Sequence, residues 1–362
     1  MSAENNNGKK DHWFQDWLVY GQWWILAPFL IIIFLIASPN YLRNKKATQE
    51  FIKRQVIIYA AQDQVYAEPI LRDFEKATRI KVRAVYDSEA VKTVGLANRL
   101  LAERSHPQCD VFWGNEEMRT RQLAAQGVFR ETNGWAAFGY RSRRLVINTN
   151  LVEPALAGNP SPGLRPPSPR PTGRGKGEGQ RKLPSAPCSL LELTNAVWRG
   201  KIALAYPLFG TTATHFLALR QHWGEAGWLA WCRALQANQP FVVDGNSVVV
   251  KLVGRGEAWI GLTDSDDIAA GQADGLPVAG VPMREVLFIP NTVAVVRHPP
   301  HPESAQRLFE YLQSRAVSDR LVAANALEHV GPSLKDGLVP NWDELLSRLE
   351  RDTTTLKGVF LR

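Results

Sequence analysis

The sequence predicts an α/β protein of two units, preceded by a membrane-spanning helix. Three observations carry this. From Val56 onward, short apolar strands alternate with segments of helical spacing; a second such alternation begins near Leu145; and residues 17–42 hold no charged side chain. Strands alternating with helices imply parallel pairing and right-handed crossovers. With 362 residues the chain is long enough for one large or two medium domains.

The N-terminal segment comes first. Its centre, WWILAPFLIIIFLIA (23–37), is apolar throughout, and Trp13, Trp17, Tyr20, Trp23 and Trp24 crowd its leading edge. A span needs about 20 apolar residues, with aromatic rings at the interface. Cleavage after Ala37 would place Leu35 at −3, and cleavage after Ser38 would put Pro39 behind the bond. Both are poor signal-peptidase sites. The expectation is an uncleaved anchor over about 18–38 within a tail of residues 1–54. The basic flank (Arg43, Lys45, Lys46, Lys53, Arg54) outweighs Lys9 and Lys10, which by the positive-inside rule would keep the body in the cytoplasm.

In the body, Val56–Ala60 reads as a strand and Val65–Thr78 as a helix with Ile70, Leu71 and Phe74 on one face. Ile80, Val82 and Ala84 alternate as a strand, 91–104 has helical spacing, and Val111–Trp113 is a third strand. RLVINTN near Leu145 reads as a strand crossing between units. Ile202–Ala205, helical Thr214–Trp223 and Trp228–Ala237, and Phe241–Val243 continue the second unit. Residues 158–187 contain eight Pro, six Gly and no aromatic residue. Such a segment cannot bury enough apolar surface to offset its ordering entropy, so it reads as a disordered insertion.

The net charge of +8 is confined to two places: residues 1–54 carry seven basic against four acidic side chains, and 158–183 carry six against one. The remainder is neutral, which excludes a nucleic-acid binder. Cys109, Cys188 and Cys232 show no metal spacing; Cys109 and Cys232 lie in apolar runs and are expected to be buried thiols.

The most telling stretch is DGNSVVVKLVGRGEAWIGLTDSDD (244–267). A helix start at Gly245-Asn246-Ser247 leads to an apolar strand that ends in Thr263, Asp264, Ser265, Asp266 and Asp267. Carboxyl ends of strands border the ligand crevice in open α/β sheets, so hard oxygens there point to a cation or polar ligand; a solvated turn is the bland alternative.

This stretch resembles the periplasmic solute-binding proteins of ABC importers (extracellular family 1 type), in particular the ferric-ion-binding branch. VIIYAAQDQVYAEPILRDFEKATRIKVRAVY (56–86), CDVFWGNEEM (109–118), WRGKIALAYPLFGTTATHFLAL (198–219) and IPNTVAVVRHPPHPESAQRLFEYLQS (289–314) match in family order. The resemblance implies a two-lobe periplasmic-binding-protein-like fold. Lobe one would comprise 55–144 plus about 289–330, lobe two 145–288, and 331–362 would form bracing helices. It further implies a receptor facing the periplasm and serving an ABC permease, which together with the apolar N-terminal span makes it a body anchored in the inner membrane. No resident cofactor is implied; a metal ion with a synergistic anion, or a small polar or anionic solute, would be cargo.

By the same resemblance, Asp63 stands where relatives have a His, and Glu116 at their acidic ligand, with Asn115 or Glu117 as register alternatives. Asp266 and Asp267 replace an adjacent tyrosine pair, so Asp266, Asp267 and Glu116 form the metal set. Gly210, Thr211, Thr212 and Thr214 occupy the anion loop, where a helix N-terminus favours anions; Asn246 and Ser247 form a second helix start facing the crevice. Thr263 and Asp264 complete the ligand set, and Asp244 either closes the site or caps its helix. His215 reads as structural, and His298 and His301 as solvated. The competing reading is a membrane-anchored metal-dependent hydrolase built on Asp264, Asp266 and Asp267. The chain has no GxSxG, HExxH or P-loop, which favours a receptor without enzymatic activity. Deleting Asn159 to Lys182 should leave the melting temperature and ligand binding nearly unchanged, as differential scanning fluorimetry with and without ligand would show; a large loss would mean the segment packs.

Overall fold

One fourteen-residue strand, β4 (Trp135–Asn148), runs through the middle of the protein and pairs with a different set of strands at each end. The computed structural model describes residues 54–86, 92–154, 183–328 and 337–361. The first part of β4 lies antiparallel to β9 (Phe288–Val295), from Trp135 opposite Ala294 to Ser142 opposite Phe288. The second part lies antiparallel to β7 (Ile260–Asp264), from Arg143 opposite Asp264 to Ile147 opposite Ile260. β8 (Val278–Val281) also pairs with the second part of β4.

Parallel strands extend the sheet on both sides. Beyond β9 come β3 (Val111–Gly114), β1 (Gln55–Ala60) and β2 (Lys81–Tyr86); beyond β7 come β5 (Ile202–Ala205) and β6 (Phe241–Val243). β1 is parallel to β3, and β5 is parallel to both β6 and β7. Such pairs need crossovers, supplied by helices Gln64–Thr78 and Lys92–Ala102 on one side and Gly210–Ala237 and Asn246–Gly254 on the other. β1, β3, β5 and β7 are near-continuous apolar runs because helices cover both faces.

Each half has its own core. In the first, Ile70 and Phe74 join Leu308 and Leu312 on one face of the sheet, while Tyr59, Leu96, Phe112 and Phe129 form a separate cluster. In the second, Phe216, Trp228 and Trp231 pack with Leu345, Leu349, Leu356 and Phe360 of helix Trp342–Phe360. That is a single C-terminal helix among the described residues, where several were expected over 331–362. The helix is also tied to the first half, because the Arg121 guanidinium lies over the rings of both Trp135 and Trp342, at 5.1 and 5.2 Å.

Several expectations are corrected. The crossing strand begins at Trp135, ten residues ahead of Leu145, because buried arginines interrupt its apolar pattern. The two helices expected over 214–237 are present, separated at Gly224, whose φ of 73° and ψ of 161° break the helical run; only the start differs, because the first helix already begins at Gly210. Of the insertion expected over 158–187, residues 158–182 lie outside the described residues; in the described remainder Ser185 bridges to Glu153, the Glu153 N–H donates to the Pro184 carbonyl, and Ala186 is buried. Glu153 needs backbone partners, and the returning chain supplies them. The anchor over 18–38 lies outside the described residues; among those described, no helix is long and apolar enough to cross a membrane.

β4 carries a bulge between Phe138 and Tyr140, with Gly139 at φ 60°. Only glycine takes this conformation cheaply, and a Cβ there would run into the Leu327 side chain. Gly139→Ala should therefore cost about 2 kcal/mol of stability through strain and overpacking, read as a lower urea midpoint at unchanged m-value.

Candidate functional site

The centre of the site is built where β4 meets β7. The register sets Arg143 opposite Asp264, and residues directly opposite on an antiparallel pair interact. Arg143 is fully buried. Its Nη1 donates to Asp264 Oδ1 at 2.6 Å, to Asn246 Oδ1 at 3.1 Å and to Thr211 Oγ1 at 3.2 Å; its Nη2 donates to Thr212 Oγ1 at 3.2 Å. The second Asp264 oxygen accepts from Thr211 Oγ1 at 2.7 Å and from Asn246 Nδ2 at 3.1 Å, with Arg141 Nε 3.5 Å away. Burial opposes ionisation of Asp264, but Arg143 and Arg141 outweigh it and hold the carboxyl below its ordinary value.

Two residues along β4 on the same face, Arg141 links this centre outward. Its Nη1 donates to Asp266 Oδ2 at 3.0 Å and its Nη2 to the Asn115 carbonyl at 2.9 Å. Asp266 and Asp267 occupy the first turn of helix Ser265–Ala273, where the helix dipole favours negative charge. Carboxylate oxygens of Asp264, Asp266 and Asp267 lie within 4.8 Å of one another, a spacing that can hold a metal ion. Asp266 Oδ1 is buried without a hydrogen-bond partner. Burial, together with Asp264 and Asp63 and against the pull of Arg141, raises the Asp266 carboxyl to about 6. Burial and then the Asp266 and Asp264 charges push Asp267 well above the ordinary range.

Asp266 and Asp267 open onto a cleft of about 310 Å³. Asp63 and Tyr66, at the start of helix Gln64–Thr78, line it from the first half; Ser247, Lys251 and Asp274 line it from the second. The Tyr66 phenol is raised to about 12 by burial and then by Asp266, Asp63 and Asp267.

The expected site residues thus divide into groups. Asp63, Ser247, Asp266 and Asp267 share the cleft. Thr211, Thr212, Asn246 and Asp264 surround Arg143, and Thr263 Oγ1 donates to the Asn246 carbonyl at 3.2 Å. Glu116 is fully buried and N-caps helix Glu117–Ala125, accepting from the Arg119 N–H at 2.9 Å and from Thr214 Oγ1 at 3.3 Å; it does not line the cleft. The Gly210 carbonyl accepts from Thr214 Oγ1 at 3.2 Å. Asp244 is exposed and also stands outside the lining. His301, expected to be solvated, is buried: its N–H donates to Asp110 Oδ1 at 2.6 Å and its Nδ1 lies 2.9 Å from Asp110 Oδ2, because that buried carboxylate needs donors.

Arg141, Arg143 and Tyr66 are the residues that sequence reasoning missed. The signal for the arginines was present in YRSRRLV, where Arg141 and Arg143 fall on one face just ahead of the segment read as the crossing strand.

The family model for bacterial extracellular solute-binding proteins matches residues 55–324. The chain belongs to that family. It is a solute-binding protein of the kind that serves ABC importers, extracellular or periplasmic, and not an enzyme. No curated protein shows a significant sequence match. Among solved structures, iron-bound HitA from Pseudomonas aeruginosa aligns at TM-score 0.64 and 18% identity, over 83% of this chain and 99% of that one. The apo ferric ion-binding protein A of Pasteurella haemolytica aligns at 0.63 and 17%, over 84% and 98%. AfuA from Actinobacillus pleuropneumoniae, with fructose-6-phosphate bound, aligns at 0.66 and 16%, over 85% and 98%. At these identities the likeness is one of fold, the α/β periplasmic-binding-protein type.

His215 lies beside this network, fully buried, with Nε2 2.7 Å from the Glu285 carbonyl. Burial and the nearby Arg143 lower it from 6.5 to about 3. The folded state therefore resists protonation of His215, so its contribution is intact above pH 6.5 and is lost as pH falls toward 3. Asp266, with its raised value, works in the opposite sense near pH 6. Comparing His215→Gln with wild type isolates the histidine: the variant should lose less stability between pH 6.5 and 4, measured as urea midpoints across that range.

Proposed function

We propose that the protein captures a hard cation, of the Fe³⁺ class, in the cleft between its two halves and delivers it to an inner-membrane ABC permease. The observation that carries this is the Asp266 carboxylate, which lines the cleft with one buried oxygen unpartnered. A buried acceptor without a donor is costly, and a cation satisfies it. Asp267 and Asp63 supply further hard oxygens within the same cleft, of the kind that hard cations prefer, and the Tyr66 phenol adds another on the opposite wall. Solved structures of similar fold include iron-bound and ferric-binding proteins, which supports iron as the first cargo to test.

A small anionic solute is disfavoured by charge: Asp63, Asp266, Asp267 and Asp274 line the cleft against Lys251. On this reading the halves close on the cargo by bending where β4 and β9 cross. The apolar segment 18–38 tethers the body at the inner membrane, facing the periplasm.

Carboxylates gathered this closely repel one another until a cation sits between them. The Asp266→Asn, Asp267→Asn double variant should keep its fold and lose the cation-dependent rise in melting temperature. With cation at about 100 times the dissociation constant, the stabilisation lost is about 2.7 kcal/mol. Equal binding of Fe³⁺ by variant and wild type, measured by competition with a chelator, would remove these residues from the site.

A further inference from the structure

We propose that Asp264 is a built-in counter-anion: its carboxylate fills the oxyanion cradle at two helix N-termini, so that the cation is taken without an exogenous anion. This rests on the cation-capture reading above and adds to it.

The cradle has what an oxyanion site requires. Helices Gly210–Ala237 and Asn246–Gly254 begin beside it, and Thr211 Oγ1, Asn246 Nδ2 and the Arg143 and Arg141 guanidiniums point into it. Helix N-termini, hydroxyls and arginine forks are the usual partners of phosphate and carboxylate. Here they hold Asp264, which is 1% exposed. Arg143 Nη1 binds Oδ1 at 2.6 Å. Thr211 and Asn246 bind Oδ2 at 2.7 and 3.1 Å, with Arg141 Nε at 3.5 Å. A soluble anion would have to displace a carboxylate fixed to the end of β7. That carboxylate is already oriented and gives up no translational freedom on binding, an advantage no free anion matches at ordinary concentration.

The arrangement also relays charge. Arg141 touches Asp264 on one side and gives its Nη1 to Asp266 on the other. Removing the internal anion leaves both guanidiniums undercompensated beside the cation site. A multivalent cation would then meet two unneutralised positive charges, and its affinity should fall until another anion enters the cradle.

The experiment has two arms. In the first, Fe³⁺ is titrated into wild type from a hydroxypyridinone chelate, which brings no carboxylate or phosphate, at buffered free-iron activity, with and without added phosphate, carbonate or citrate. Affinity should be independent of these anions; a tenfold gain on adding any of them, about 1.4 kcal/mol, would overturn the proposal. In the second, Asp264→Ala is heated with increasing formate or acetate and no metal. The variant should melt below wild type and recover as the small carboxylate fills the vacated cradle, while wild type shows no such shift. A variant that folds but ignores formate and acetate refutes the proposal. If Asp264→Ala fails to fold under all conditions, the wild-type anion series decides alone. Should wild type bind no cation under any condition while formate still rescues Asp264→Ala, cation capture falls and the built-in anion stands.

Discussion

The buried pairing of Arg143 with Asp264 is the constraint around which the site is arranged. A guanidinium taken wholly out of water carries a desolvation penalty of several kcal/mol, and here it is met by one carboxylate, two threonine hydroxyls and an asparagine amide oxygen. Those partners come from β7, from the start of helix Gly210–Ala237 and from the start of helix Asn246–Gly254. Arg143 therefore fixes three elements relative to the central strand at once. Such a pair is not an efficient source of stability, since an apolar replacement of like volume is often as stable. What it supplies is a fixed arrangement of charge beside the cleft.

Arg141 carries that arrangement across to the first half. By bonding the Asn115 carbonyl as well as Asp266, it ties the loop after β3 to the helix that bears the cleft carboxylates. The Glu116–Thr214 hydrogen bond makes a second tie, and Met118 packs into the core of the second half. The residues nearest the loop after β3 thus join the halves, while those at the start of helix Gln64–Thr78 line the cleft. The two kinds of contact are distinct, although both come from segments that follow strands of one parallel sheet.

Much of the fold was legible because its signals are local. β1, β3, β5 and β7 are apolar runs of strand length, and helix Gln64–Thr78 shows its buried stripe in Ile70, Leu71 and Phe74. β8 is four residues with a central Gly280, too short to carry a pattern. The start of β4 was hidden for the opposite reason: its charged residues are buried, and what neutralises Arg143 lies 121 positions away in the chain. Asp266 and Asp267 were legible from their place after a strand end. Glu116 could be read as an acidic residue at the right end of β3, but a carboxylate that caps a helix and one that faces a cleft look the same in sequence. Tyr66 was passed over because a half-buried aromatic in the first turn of an amphipathic helix reads as core.

The backbone pairing of Glu153 with Pro184, Ser185 and Ala186 has a consequence for how such a chain changes over time. Positions 153 and 185 sit side by side, so whatever sequence joins them begins and ends at nearly the same point in space. Additions or losses between them alter the length of a closed excursion and leave the spacing of every packed element as it was. The pairing thus gives the body two fixed, adjacent endpoints whose positions do not depend on how much chain is strung between them.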